Sequence, residues 1–351
     1  MTARVLSSTR PMRVPPLYNL QHFRGRHYLF PTALKVKREV LRAFGQKYGR
    51  AINDEFFAAH LQKPMREVLR ESTPDVIICF QNASAKMLLC DLHVDIPVII
   101  MSHGDPVDLF HSHPRKELAA FERCAVFQVL LPGFAARVQK YIPNVRIVSI
   151  GNVVPQYEEQ ADLRREKEKY KIVFIGRMVR NHKRPHLLIE AFIKIAAEFP
   201  DWTLELWGAE DNKRYQKDLQ TMIDEAGLTE RILFCGTTTD VPAVLADADL
   251  CVAPSAYEGF SLAHTEAMSM GLLLIGYKNC VSVNELVHDG VNGLLADDGA
   301  EALAEKMAIL MRDRDLRVRM GTAARASMHA YAPEIIWGQW EALMEELVDS
   351  Q

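Results

Sequence analysis

LCVAPSAYEGFSLAHTEAMSMG, residues 250–271, opens with four apolar residues in a row, turns at Gly259 and continues with helical spacing. Consecutive apolar residues without alternation mark a strand buried on both faces, the habit of parallel sheets flanked by helices. The pattern predicts a strand over Leu250–Ala253 and a helix over Ser261–Met270. The free N–H groups of Phe260, Ser261 and Leu262 then stand at the helix N-terminus, an anion site by geometry and by dipole. Two carboxylates, Glu258 before the helix and Glu266 inside it, flank that terminus. A carboxylate beside a phosphate is repelled unless it has hydroxyls to bind, and a sugar supplies hydroxyls.

Upstream, FIGRMVRNHKRPHLLIEAF (174–192) repeats the construction. A strand ends at Gly176, Arg177 stands at its carboxyl end, and Lys183 precedes a helix opened by Pro185 at its first position. Ligands of open α/β sheets bind outside the carboxyl ends of the strands, so both cations point toward the crevice. Two fixed positive charges and a helix N-terminus can neutralise a diphosphate.

The same alternation of short apolar runs and longer helical patterns extends in both directions. Strands are expected at Val76–Phe80, Val98–Met101, Val126–Leu131 and Arg146–Ile150, then at Ile172–Ile175, Trp202–Trp207, Arg231–Cys235 and Leu272–Ile275. Between the two sets, VVPQYEEQADLRREKEKY (153–170) is polar and charged and reads as a linker that fills no core. The fold class is therefore α/β, two doubly wound domains with parallel sheets. The boundaries are 1–155, 171–330, and a final helix over 331–351 whose apolar face, Ile336, Trp337, Trp340, Leu343, Met344 and Leu347, is expected to pack back on the first domain. The first 70 residues fit less well. A doubly wound domain opens on a strand and a glycine-rich turn, and here ARVLS (3–7) runs into Arg and Pro, with Gly25 a poor substitute. The opening βα unit is missing or degenerate.

The chain has 351 residues, 48% hydrophobic and 25% charged, a globular composition that excludes disordered and collagenous classes. No apolar run approaches the ~20 residues of a membrane-spanning helix, and the first twenty residues lack a signal's apolar core. Six scattered cysteines without a C-x-x-C pair read as reduced thiols of a cytoplasmic protein. The net charge of −3 hides an asymmetry: residues 1–70 hold 14 Lys and Arg against 4 Asp and Glu. Lys35, Lys37, Arg38, Arg42, Lys47 and Arg50 fall along one apparent helix. Either this is a solvated face, or it meets an anionic partner such as the inner face of a membrane. No nucleic-acid motif is present, and none is expected as a partner.

GRMVRNHKRPHLLIEAF, followed by WTLELWG, ILFCG, ADADLCVAPS, YEGFSLAHTEAMSMG and LVHDGVNGLL, resembles the donor-binding domain of the retaining GT-B glycosyltransferases of family 4. The resemblance is dense over about 171–330 and loose over 74–150. It implies two facing Rossmann-like domains and a sugar transferred from a nucleotide-diphosphate sugar, UDP-sugar favoured, to a saccharide or lipid-linked acceptor hydroxyl in cell-surface polysaccharide or glycolipid assembly. Retention of configuration is implied, as is the absence of a cofactor or catalytic metal. Arg177 and Lys183 would hold the diphosphate, so that Lys183→Ala would lower turnover far more than it weakens folding. Glu258 would bind the donor sugar's hydroxyls, with the backbone of Gly259, Phe260, Ser261 and Leu262 around sugar and phosphate. Glu266 would accept hydrogen bonds from the ribose. In PVIIMSHGDP (97–106), the family's strand-then-histidine pattern puts His103 in a sugar-positioning role.

Other readings stand beside it. SHGDPVDLFHSH (102–113) gathers His103, Asp105, Asp108, His111 and His113 without a familiar metal-ligand spacing. Asp247-Ala-Asp249 has the form of a metal-binding D-x-D string but sits at a helix-to-strand junction. The family's N-terminal glycine loop is not recognisable, and GLLLIGYKNCVSVNEL (271–286) lacks its usual proline and glycine run. A non-catalytic nucleotide-binding protein on a decayed GT-B fold is the alternative. A phosphorylase would need a pyridoxal-binding lysine context that is absent, and an epimerase would have no use for the basic N-terminus.

Overall fold

A computed structural model describes residues 4–7, 19–22 and 31–350. Much of the basic segment, with Arg10, Arg13, Arg24, Gly25 and Arg26, lies outside them, as does the side chain of Lys47. Strands β1 (Arg4–Ser7) and β2 (Asn19–His22) pair in parallel as a sheet of their own. The basic run expected to form one helix forms two, α1 (Thr32–Arg42) and α2 (Gln46–Ser72). Gly45 separates them at φ 143°, backbone that side-chain-bearing residues rarely adopt.

The chain continues through β3 (Ile77–Cys79), α3 (Asn82–Lys86), β4 (Val98–Met101), α4 (Pro106–Ser112), α5 (Arg115–Phe121), β5 (Val126–Val129), α6 (Pro132–Val138) and β6 (Arg146–Ser149). The four strands lie in the order β3-β4-β5-β6, and β3 runs parallel to β4. All of β5, Gln128 included, is buried with Val98, Ile99 and Ile100 of β4, as in strands covered on both faces.

The second sheet holds six parallel strands: β7 (Tyr170–Ile175), β8 (Trp202–Trp207), β9 (Ile232–Gly236), β10 (Leu250–Ala253), β11 (Leu274–Tyr277) and β12 (Gly293–Ala296). The helices between them are α7 (Pro185–Ile195), α8 (Lys213–Glu225), α9 (Val241–Ala246), α10 (Leu262–Ser269) and α11 (Val281–Leu286). After β12 come α12 (Ala300–Arg312), α13 (Arg314–Met328) and α14 (Pro333–Asp349). The strand order β12-β11-β10-β7-β8-β9 is that of a doubly wound sheet. The chain starts in the middle at β7, winds outward to β9, and returns to β10 on the other side of β7. The loops that leave the carboxyl ends of β7 and β10 therefore part in opposite directions, which opens the crevice where such sheets bind ligands.

Grouped by proximity, the chain forms two units. One holds the described residues up to Met101 with 107–127 and 141–146; the other holds 102–106, 128–140 and 147–350. The stretch 153–170 belongs to the second and is not the purely polar linker its composition suggests. Val154 and Leu163 are buried, Val154 N–H donates to the Tyr331 carbonyl at 2.9 Å, and Leu163 Cδ1 packs against Gly321. Two buried apolar residues in a largely polar stretch are enough to dock an extended segment. All six cysteines are free, four of them buried. Among the described residues no helix is long and apolar enough to cross a membrane.

Candidate functional site

The β7–α7 loop begins at Gly176, whose N–H donates to the Trp207 carbonyl at 2.9 Å. A Cβ at Gly208 would meet the Gly176 carbonyl oxygen at 1.9 Å, so only glycine lets the ends of β7 and β8 come this close. Arg177 follows with a 65% exposed side chain, 3.8 Å from Asp211, and is solvated rather than locked. Lys183 instead folds back, its Cδ and Cε packed over Gly176, and ion-pairs through Nζ with Glu258 Oε1. The carboxylate is 6% exposed and the Lys183 side chain 14%, so the structure brings these two expected site residues into one buried pair.

Burial pushes the Glu258 carboxyl up, but the charges of His264 and Lys183, with the hydrogen bond from Lys183, more than reverse this and hold it below the usual value. His264 is fully buried and its pKa is pushed down to about 4. It is uncharged at neutral pH, which leaves the Lys183 ammonium as the group that keeps Glu258 ionised. The other Glu258 oxygen lies 3.9 Å from His182 Nε2.

Gly259 turns the chain under the 102–106 loop. A Cβ there would stand 2.5 Å from the His103 carbonyl oxygen and 2.9 Å from Gly104 Cα. His103 thus sits against the Glu258–Gly259 turn through its backbone, and burial lowers its imidazole pKa and favours the neutral ring. Phe260 contributes backbone alone, since its ring is buried edge-on against Tyr331 at 5.0 Å. Ser261 caps α10 in left-handed backbone, φ 51°, and its Oγ and His264 Nδ1 are both buried without a hydrogen-bond partner. Leu262 is exposed at the helix start. Glu266, one turn further on, is half-buried, and burial raises its pKa. No ion pair to it is found among the described residues. The two glutamates are therefore tuned in opposite directions: one is held charged by a lysine, the other is available to hydroxyl donors.

The histidine and aspartate string of 102–113 is dispersed among other partners. Asp105 pairs with Arg137 at 2.9 Å, His111 meets the Tyr141 hydroxyl at 3.1 Å, and buried His113 contacts Arg50 and Asn82. Among the described residues no three His, Cys, Asp or Glu side chains are placed to hold a metal ion. Asp247 and Asp249 are structural. The first pairs with Lys171 at 2.6 Å, and the second accepts from the Lys171 backbone at 2.8 Å and pairs with Lys167. Sequence reasoning missed Arg184 and the His182–Tyr257 stack, whose rings lie 4.2 Å apart at 4°. The signal for Arg184 was its place between Lys183 and Pro185, where the residue before proline is pushed out of helical backbone.

A strand-to-helix turn at the crossing point, with two cations in the β7–α7 loop and glutamates before and inside α10, agrees with the family whose model matches 155–327, described as glycosyl transferases group 1. That match covers just under half of the chain. The chain is 28% identical to the N-acetyl-alpha-D-glucosaminyl L-malate synthase of Bacillus anthracis over 266 residues, 72% of this chain and 68% of that protein. It is 31% identical to the lipopolysaccharide core biosynthesis mannosyltransferase LpsB of Rhizobium meliloti over 141 residues, 39% and 40% of the two chains. The solved structure of Anabaena HepE in complex with UDP-glucose superposes with a TM-score of 0.68 at 20% identity, over 83% of this chain and 82% of that one. This likeness shows a shared GT-B fold. The chain spans about a fifth to a half of the length of several other curated relatives it matches.

Proposed function

We propose that the chain transfers a sugar from a nucleotide-diphosphate sugar, UDP-linked, to an acceptor hydroxyl in the assembly of a cell-surface polysaccharide or glycolipid. The observation that carries this reading is the buried Lys183–Glu258 pair beside the α10 N-terminus. An ammonium has three donors. One is spent on Glu258, and two remain for the diphosphate, so donor binding completes the site without breaking the pair. Arg177 adds a mobile second cation, and Glu266 receives the ribose hydroxyls. Glu258, held ionised, accepts from the donor sugar's hydroxyls, and neutral His103 positions that sugar. The family match and the solved HepE complex with UDP-glucose support the nucleotide-sugar donor, and the α-linked product in the name of the malate synthase supports retention.

In this reading the acceptor oxygen approaches the anomeric carbon on the face the diphosphate leaves. The carbon–oxygen bond to the β-phosphate breaks as the new glycosidic bond forms, and the acceptor proton passes to the departing phosphate oxygen. The chain's contribution is orientation and stabilisation of the charge on the leaving diphosphate by Lys183, Arg177 and the helix terminus. Incubation with UDP-glucose, UDP-N-acetylglucosamine and GDP-mannose, with the released sugar followed by proton NMR, tests the reading. First appearance of the α-anomer supports it. First appearance of the β-anomer refutes retention, and nucleotide binding without any release favours the non-catalytic alternative.

We further propose peripheral association with an anionic membrane. Val36 and Val40 of α1, with Phe44 two residues past its end, form an exposed apolar stripe, Phe44 at 76% exposure, beside Lys35, Lys37, Arg38 and Arg42. An apolar edge flanked by cations is the make-up of an interfacial helix, and each cation adds about 1 kcal/mol near an anionic leaflet. Flotation with anionic but not neutral vesicles is expected, and equal flotation with both would remove the idea.

A further inference from the structure

Three consecutive residues of the β7–α7 loop each grip the β10–α10 loop. The His182 carbonyl accepts from Ala256 N–H at 2.8 Å while its ring stacks on Tyr257, and Lys183 ion-pairs with Glu258. Arg184 donates through Nε to the Pro254 carbonyl at 2.8 Å. Its guanidinium reaches further, with Nη1 2.9 and 3.1 Å from the two oxygens of Asp298 beyond β12, and lies 4.8 Å over the Tyr277 ring at the end of β11. The Tyr277 hydroxyl is itself anchored on the Gly299 carbonyl at 3.1 Å. One side chain thus ties together the carboxyl ends of four strands on the crossing side of the sheet.

The backbone makes the residue's presence informative. Arg184 sits at φ 48°, ψ 46°, left-handed backbone that glycine occupies freely and arginine does not. Local propensity alone would put glycine at this position. We propose that Arg184 is a positioning residue. Its guanidinium fixes the spacing of the β7–α7 and β10–α10 loops, and so holds the Lys183 ammonium where the nucleotide diphosphate is bound. This rests on the reading of Lys183 as a diphosphate ligand. Pro254, Asp298 and Tyr277 form a rigid frame on one side of residue 184, and Lys183 leaves the backbone next door. A freed residue 184 would let the loop rotate about its own start and move the ammonium, while the sheet stays intact.

The test is UDP affinity by titration calorimetry for the wild type, R184G, K183Q and the double variant, with GDP and ADP as parallel probes. K183Q is chosen because a Gln amide can still donate to Glu258. R184G relieves the left-handed strain as it removes the contacts, so its melting temperature is expected to stay within a few degrees of wild type. Its UDP affinity is expected to fall at least tenfold, and in the K183Q background the same change should cost less than twofold, because the arginine acts through the lysine. A D298N variant, with the arginine kept but its anchor weakened, should lose part of the affinity. Equal loss from R184G in both backgrounds, or affinity unchanged in R184G, overturns the proposal and leaves the donor site standing. Failure of the wild type to bind any of the three nucleotides overturns the donor reading itself, and this inference with it.

Discussion

Replacing Lys183 by alanine removes the cation from a carboxylate that is 6% exposed. Removal of one partner of a buried ion pair costs about 3–5 kcal/mol, because the remaining charge is left uncompensated. For a domain of the second unit's size, about 2–4 °C of melting temperature per kcal/mol puts the loss at roughly 6–20 °C at pH 7. The expectation that Lys183→Ala lowers turnover far more than it weakens folding thus acquires a sizeable folding cost from the buried pair. The pH dependence carries the diagnosis. His264 and Lys183 both lower the Glu258 pKa, and with His264 uncharged at neutrality Lys183 is the cation that remains there; with the lysine removed, burial is expected to raise the folded-state value above the unfolded one. Folded K183A then binds a proton more readily than the unfolded chain. Its deficit relative to wild type is largest above the raised pKa and shrinks as pH falls through it. The double variant K183A/E258Q, which carries no buried charge, should recover most of the stability at pH 7 and none of the nucleotide affinity. Scanning calorimetry from pH 5 to pH 8 makes the comparison. A K183A melting point within about 1 °C of wild type at every pH would refute the ion-pair argument.

Gly259→Ala places a Cβ 2.5 Å from the His103 carbonyl oxygen, a backbone atom that cannot swing aside; a loss of about 1–3 kcal/mol is expected by thermal denaturation, with weakened nucleotide binding. His264 titrates near 4 when folded and near 6.5 when unfolded, so the unfolded chain binds the extra proton between those values. Stability should fall as pH drops from about 6.5 to about 4, by roughly 3 kcal/mol for this group, and chemical denaturation of His264→Asn should show a shallower fall over that window.

The doubly wound order was legible because β7, β10 and β11 are apolar at consecutive positions, and only a strand covered on both faces needs that. The same property blurred the edges. Leu272, Leu273, Leu274 and Ile275 are all fully buried, so hydropathy could not show that β11 starts at Leu274, two residues late, after the chain has turned at Gly271 with φ 83°. Strand β12 escaped notice because Gly-Leu-Leu-Ala is short and opens on a residue with no side chain. A Cβ at Gly293 would meet the Leu274 carbonyl oxygen at 2.3 Å, so the glycine is there for close approach to β11.

For the site, the sequence shows which loops carry chemistry and in what order, since that follows from strand–turn–helix spacing. It does not show which way each side chain leaves the backbone. Lys183 folding back onto Glu258, Phe260 turning into the core and Arg184 bracing four strand ends depend on partners 70 to 114 residues away in the chain. Local pattern carries no information about such partners.

A nucleotide-diphosphate site at the carboxyl ends of β7 and β10 can be tested by calorimetric titration of the wild type and Glu266→Ala with UDP. Saturable binding to the wild type is expected, weaker at pH 5 than at pH 7 as the burial-raised Glu266 carboxyl takes up a proton, with binding lost or much weakened in the variant. Equal affinity of the two proteins for UDP would contradict it.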